Sequence, residues 1–485
     1  MILLSMFELV FLRKRTTHRS LFSLAGHFTY IDCGKHSPGH NFSRGPGVGS
    51  GAFLRVQEVE TRTPTPTVLE YRFMSAACRF CQTPLEHSVV DLGVSPLCQN
   101  HVTPDNFTSA EPHYPLHARV CHGCFLVQVD DIVAPEEIFG DGEYAYFSSF
   151  SDSWLAHARN YTQMIIERFH LSAESRIVEI ASNDGYLLQY FREFGSRVQG
   201  IEPASNCAAV AIEKGIDTLV AFFGSETAAK VRVDRGPADL LLGNNVLAHV
   251  PNINDFVAGM KILLAPEGLI TMEFPHLMQL IEQNQFDTIY HEHFSYLGFT
   301  TVERIFAYHG LVIFDVEEIP THGGSLRIYA RHDENLALPV EARVGTLRAL
   351  EASKGMLDLP YYTEFGERVQ ETKRKLLSFL IEAKRAGKNI VGYGAPGKGN
   401  TLLNYCGIRT DFLDYTVDRS PHKQGNFLPG SRIPIFDPER VFETRPDYVL
   451  ILPWNLREEI MNQMAGIRKW GGRFVVPIPE VKVYP

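Results

Sequence analysis

No uninterrupted apolar run in the 485-residue chain approaches the ~20 residues that a membrane span needs. The best candidate, Met1 to Leu12, is short and carries Ser5 and Glu8, so a soluble, cytoplasmic protein is expected. Cysteine is scarce: eight in so long a chain cannot staple a secreted scaffold, which excludes the disulfide-rich class and fits a reducing compartment. Basic residues are outnumbered, 46 against 56 acidic, and a net charge of -10 argues against a general nucleic-acid binder. What remains, 45% hydrophobic and 21% charged, is an ordinary globular composition. Its length allows several domains at roughly 100–200 residues each.

Residues 1–73 lack any lasting period of two or of 3.6, and hold Arg13-Lys14-Arg15, a Gly/Pro/Ser stretch from Ser37 to Gly51 and Thr61 to Pro66. Disorder is expected there. The segment reads as a transit peptide or as upstream sequence preceding a start at Met74. Beyond it, Cys78-Arg79-Phe80-Cys81 is followed by Cys121-His122-Gly123-Cys124. Two C-x2-C knuckles supply four thiolates that close tetrahedrally on one zinc and leave no position for water, so the metal is expected to be structural. Cys98 and Cys207 stand alone. An aromatic linker, Glu143 to Phe150, leads into a helical pattern from Trp154 to Phe169.

From Arg176 a strand runs through Glu179 into the turn Ser182-Asn183-Asp184-Gly185, then a helix, then a second strand ending at Glu202. In a doubly wound sheet those strand ends are neighbours, so the turn can contact a ligand backbone while Glu202 takes the hydroxyls of a ribose. The turn lacks the full G-x-G-x-x-G, which suits a nucleoside ligand without a pyrophosphate. Further strand-helix alternation brings Asn244, Asn245 and His249 to the same carboxyl edge.

Tyr290-His291-Glu292-His293 follows the sheet. Position 295, four beyond His291, is Ser295, so the zinc-protease spacing is absent and an acid-base cluster is the better reading. His322 to Ser325 is a turn able to approach an anion. Downstream, Gly392, Gly394 and Gly397 complete G-x-G-x-x-G after a strand, with Asp411 or Asp414 about 20 residues on. Gly399 stands where a P-loop needs Ser or Thr, so that motif is rejected. The unit can hold NAD or another pyrophosphate-bearing ligand such as a nucleotide-sugar, with Asp418, Lys423 and Asn455 at its strand ends. An NAD-dependent sugar oxidoreductase and a non-catalytic zinc-knuckle binding protein therefore stand as alternatives.

The strand ending in Glu179, the Ser-Asn-Asp-Gly turn, Glu202-Pro203 and Asn244 to Val250 resemble the motifs of class I S-adenosylmethionine-dependent methyltransferases. Knuckles before that domain and Tyr290-His291-Glu292-His293 after it resemble the three-domain sugar C-methyltransferases that act on nucleotide-linked keto-sugars. The resemblance runs from Cys78 to the C-terminus. It implies an α/β protein with a zinc-knuckle domain (74–145), a Rossmann-like methyltransferase domain (146–336) and a second Rossmann-like, nucleotide-sugar-binding domain (337–485). S-adenosylmethionine would meet Ser182, Asn183, Asp184, Gly185, Glu202, Asn244, Asn245 and His249. Zinc would be held by Cys78, Cys81, Cys121 and Cys124. Methylating carbon beside a ketone needs an enolate, hence a base near neutrality and an oxyanion donor. His293 is the expected base, Glu292 its polarising neighbour and Tyr290 the donor. Tyr146 belongs to the same pocket by resemblance, and His291 is expected to be structural. A small-molecule nucleotide-sugar is the expected partner, with no nucleic acid, no membrane and a monomeric chain.

Overall fold

The computed structural model describes residues 76–139, 144 and 146–485. The expected disorder of 1–73 lies outside the described residues. Three antiparallel strands begin the fold: β1 (His87–Ser95), β2 (Tyr114–Val120) and β3 (Val127–Val129). Their alternating valines and leucines face a core that also contains Phe365, Val369 and Leu376. The first knuckle precedes β1 and the second connects β2 to β3, and Cys78, Cys121 and Cys124 join a separate core on one face of the sheet that follows.

Helix α1 (Asp152–Phe169) starts where Ser151 caps the Trp154 N–H and stops at His170, whose φ of 54° is left-handed. It leads into β4 (Arg176–Ile180), helix α2 (Leu188–Phe194), β5 (Arg197–Ile201), β6 (Thr218–Leu219), β7 (Ala238–Asn244) and β8 (Leu264–Pro275). These five strands are parallel, in the order β6-β5-β4-β7-β8. Chain direction across the sheet reverses at β4, and a ligand crevice opens there.

The next strand, β9 (Ser295–Tyr296), leaves this sheet and pairs with β3, Val127 opposite Tyr296. Then β10 (Leu311–Ile319) and β11 (Ser325–His332) return as an antiparallel pair whose β11 adds antiparallel to β8, completing seven strands. The Tyr290 to Phe294 segment thus spans from one sheet to the other.

Helix α3 (Phe365–Arg385) buries Phe365, Val369, Leu376 and Leu380, one stripe at helical spacing, and packs against β1. Six strands follow: β12 (Ile390–Tyr393), helix α4 (Gly397–Cys406), β13 (Thr416–Val417), β14 (Ile435–Phe436), β15 (Tyr448–Ile451), β16 (Arg473–Val476) and β17 (Lys482–Tyr484). Their order is β14-β13-β12-β15-β16-β17, parallel except for the last, and again doubly wound. Strand β13 is confined to Thr416–Val417 because Phe412 and Leu413 turn back to donate to the Arg409 carbonyl. Asp418 stands at the carboxyl end of that strand, as expected, while Asp411 and Asp414 precede the strand. No helix among the described residues is long and apolar enough to cross a membrane.

Candidate active site and zinc centre

At the knuckles, the Cys81 sulfur lies 3.4 Å from Cys121 and 3.6 Å from Cys124, and Cys78 lies 3.6 Å from Cys124. Four sulfurs about 2.3 Å from a tetrahedral zinc would be about 3.8 Å apart, so the set fits one ion. Gln128 donates to the Cys78 sulfur at 3.3 Å, a support for the ligand. Gln128 also lies opposite Ser295 in the β3–β9 pair, and Arg79, between the first two cysteines, donates to the Val129 carbonyl at 2.6 Å. The Val129 N–H donates to the Phe294 carbonyl. Zinc geometry is thereby passed directly to the segment carrying Glu292 and His293.

A cavity of about 510 Å³ lies where the three domains meet. The carboxyl ends of β4, β5 and β7 form one wall, through Asn183, Glu202, Asn244, Asn245 and His249. The Glu202 carboxylate accepts from the Asn183 and Ala204 backbone N–H groups at 2.9 and 2.8 Å, and burial pushes its pKa up to about 7. Asn245 Oδ1 and His249 Nδ1 are buried without a hydrogen-bond partner among the described residues. An acceptor at the end of the second strand and two orphaned polar atoms beside it fit a nucleoside-bearing donor such as S-adenosylmethionine.

Ser182, Asp184 and Gly185, expected to touch that donor, do not line the cavity. The Ser182 hydroxyl fills the space over Gly200. Asp184 pairs with Lys214 at 3.3 Å and accepts from the Ser149 N–H, tying the linker to the sheet. Gly185, at φ 75°, is needed for the turn itself, because a Cβ there would stand 2.3 Å from Ile216. Asn183 does reach the wall, but its amide is occupied by the Tyr146 carbonyl at 3.0 Å and the Ser148 N–H at 2.9 Å.

Tyr290, Glu292 and His293 form the opposite side, with Tyr144 and Tyr146 from the linker. His293 Nδ1 donates to the Thr288 carbonyl at 2.8 Å, which leaves Nε2 as the lone-pair nitrogen. Its ring lies 4.1 Å from Tyr290, tilted by 32°, and meets His249 edge-on at 4.6 Å. Burial, and then the neighbouring His249, hold the His293 pKa well below the ordinary imidazole value. The ring is neutral at working pH and able to accept a proton, but it is a weak base. Burial, followed by the Cys98 and Glu292 charges, raises the Tyr290 phenol far above its usual range, so it stays a donor. His291 turns away and bonds the Pro115 carbonyl at 3.1 Å.

Cys98, Tyr144, Asp287, Lys398 and Trp454 were not singled out for this site from sequence. The Cys98 thiol donates to Glu292 Oε1 at 3.3 Å across 194 residues of chain, a separation that no local pattern reveals. Tyr144 differs from Tyr146 only by position in an alternating run. Lys398 lies over the Trp454 ring at 4.7 Å and donates to Asn455 Oδ1 at 2.9 Å, while the Trp454 indole donates to Asp287 at 2.8 Å.

Among known proteins, three family models match in succession: a zinc binding domain over residues 78–139, a methyltransferase domain over 154–316 and a C-methyltransferase C-terminal domain over 320–479. The C-methyltransferase NovU of Streptomyces niveus is 37% identical over 408 residues, covering 84% of this chain and 96% of that protein. The chain belongs to the three-domain C-methyltransferase family. It is an S-adenosylmethionine-dependent C-methyltransferase with a structural zinc domain. Two solved structures are also similar. A methyltransferase from Anabaena variabilis is 18% identical, with a TM-score of 0.31 over 37% of this chain and 86% of that one. Magnesium protoporphyrin IX methyltransferase from Synechocystis is 15% identical, with a TM-score of 0.29 over 40% and 88%.

Burial pushes the Glu292 pKa up to about 7, with the Cys98 thiol pulling it down. Between its ordinary value of 4.5 and about 7 the folded chain keeps a proton that the unfolded chain has released. This contribution therefore weakens the fold as pH rises through that window. Glu292→Gln is expected to melt above the wild type at pH 8, by at most about 3 kcal/mol, with the difference shrinking toward pH 5. Parallel thermal melts at the two pH values check it.

Proposed function

We propose that the family member described here methylates the carbon beside the ketone of a nucleotide-linked keto-sugar through enolisation by His293. The observation that carries this reading is the position of His293, its Nε2 free, in a cavity walled by the carboxyl ends of the first sheet and by α4 of the second. His293 takes the proton on Nε2 and passes charge toward the Thr288 carbonyl through its Nδ1–H. Tyr290 donates to the oxygen that becomes negative, and Glu292, held by Cys98, polarises the neighbouring groups. S-adenosylmethionine, when bound, supplies an electrophilic methyl group on a sulfonium. Zinc does no chemistry in this scheme and holds the catalytic segment in place.

A nucleotide in the C-terminal domain is supported by a parallel between the sheets. Asp418, at the tip of β13, accepts from the Ala395 and Ser420 N–H groups at 2.8 and 2.9 Å. Glu202, at the tip of β5, accepts in the same way from Asn183 and Ala204. Both are acids placed for a ribose. The dinucleotide reading is less well supported, because the Gly397 backbone, which that fingerprint would turn toward a pyrophosphate, is covered by the Cys98 sulfur 2.8 Å from where a Cβ would stand.

Incubation with S-adenosylmethionine and a thymidine-diphosphate-linked keto-sugar is expected to add one methyl group to a sugar carbon, read by mass spectrometry and NMR. Methylation confined to oxygen or nitrogen, or reduction of the ketone by NADH, would sink the proposal.

A further inference from the structure

Two fixed cations line the cavity among the described residues, Lys398 and Lys423. Lys423 is compensated: it donates to the Ala395 carbonyl at 2.9 Å and sits 3.9 Å from Asp418. Lys398 makes no ion pair among the described residues and has only the Asn455 amide oxygen and the face of Trp454. It also stands in the first turn of α4, where the positive end of the helix opposes a cation. The opposing charge it feels is the buried Asp287 carboxyl, too far away to pair with it, and a buried cation placed so, against a helix dipole, is costly. Such a placement suits a site where negative charge arrives or develops.

The contacts say where that anion forms. Lys398 covers Trp454, Trp454 donates to Asp287, Thr288 follows Asp287, and the Thr288 carbonyl holds His293. On its other edge the Trp454 ring stands 2.7 Å from where a Gly323 Cβ would be, next to His322. The ammonium and the base both line the cavity and are linked behind it through the indole, Asp287 and the Thr288 backbone.

We propose that Lys398 is a catalytic residue that donates to the ketone oxygen of the acceptor while it becomes an enolate. In the step, the C–H bond beside the ketone breaks and its proton goes to His293 Nε2. The C–H electron pair forms the C=C bond, and the carbonyl π pair moves to oxygen, where the Lys398 N–H meets it. A neutral imidazole in an apolar setting is a weak base, and the Tyr290 phenol alone is a neutral donor to the oxygen; an ammonium added there makes the proton more acidic. The C-terminal domain then supplies chemistry as well as substrate binding.

This inference rests on the keto-sugar reading, and one experiment separates the two. Exchange of the acceptor's proton beside the ketone into deuterated water is followed by NMR, with zinc-loaded full-length chain, a thymidine-diphosphate-linked keto-sugar and no methyl donor. Substrate and S-adenosylmethionine affinities are measured alongside by calorimetry. Wild type is expected to exchange the proton. Lys398→Met is expected to slow exchange at saturating substrate by about 100-fold or more, with substrate affinity changed less than about threefold and S-adenosylmethionine affinity unchanged. Lys398→Arg should recover part of the rate, and Asn455→Ala, which only frees the ammonium, should lose about tenfold. Unchanged exchange in Lys398→Met overturns the inference, as does a loss confined to substrate affinity, which would mark Lys398 as an anchor for the diphosphate. Absence of exchange in a wild type that binds S-adenosylmethionine overturns the keto-sugar reading, and the inference with it.

Discussion

Cys78→Ser chain is expected to purify without zinc and to lose methyl transfer by about 100-fold or more, although Cys78 touches no reactant. Structural zinc contributes on the order of 10 kcal/mol at neutral pH, comparable with the whole stability of an ordinary domain. Its removal would release the knuckles and, with them, the Arg79 donation to Val129 and the Gln128 contact that fix β3. Because β3 is the strand on which β9 pairs, the segment from Tyr290 to Phe294 loses its anchor. A shift of about 1 Å in a catalytic group can cost about 100-fold. Metal analysis, activity and hydrogen exchange at Phe294 to Tyr296 check the chain of cause. Since the seven-stranded sheet keeps most of its own core, S-adenosylmethionine affinity is expected to fall far less than the rate. A zinc-free variant with full activity would remove the coupling argued here.

His293→Ala is expected to lower kcat by about 100- to 10,000-fold, the usual contribution of a positioned general base. Affinity for S-adenosylmethionine should hardly change, because Glu202 and Asn245 remain on the far wall. The proton beside the ketone should also stop exchanging with solvent, a readout that separates loss of the base from loss of geometry. His291→Ala is the control. Its ring bonds the Pro115 carbonyl outside the cavity, so the cost should appear in melting temperature, with exchange kinetics kept. Wild-type turnover by a His293→Ala chain that binds both ligands would end the enolisation mechanism.

The order of domains, the four zinc ligands and both doubly wound sheets were legible in the chain itself. Each rests on local spacing: C-x2-C knuckles, strand-turn-helix alternation, acids at strand tips. Glu202 could be placed because the distance from the first turn to the second strand is short and nearly constant in such sheets. Ser182, Asp184 and Gly185, expected at the donor by the same logic, hold the turn and do not line the cavity. A turn's residue types reveal that it is tight, but not which side chains point at the ligand and which hold the turn. Asp418 of the C-terminal sheet was legible as the acid at a strand end, whereas Asp411 and Asp414, offered by the dinucleotide spacing, fall before that strand.

Tyr290-Glu292-His293 stood out as chemistry from sequence alone, yet its setting did not. Only the tertiary fold pairs β9 with the zinc sheet, brings Cys98 to Glu292 across 194 residues and sets Lys398 and Trp454 behind His293. The physical reason is range. Spacing rules encode contacts within a turn, a hairpin or one crossover, whereas a site at the junction of three domains is made of contacts whose partners are far apart in the chain and are joined by packing of otherwise unrelated surfaces.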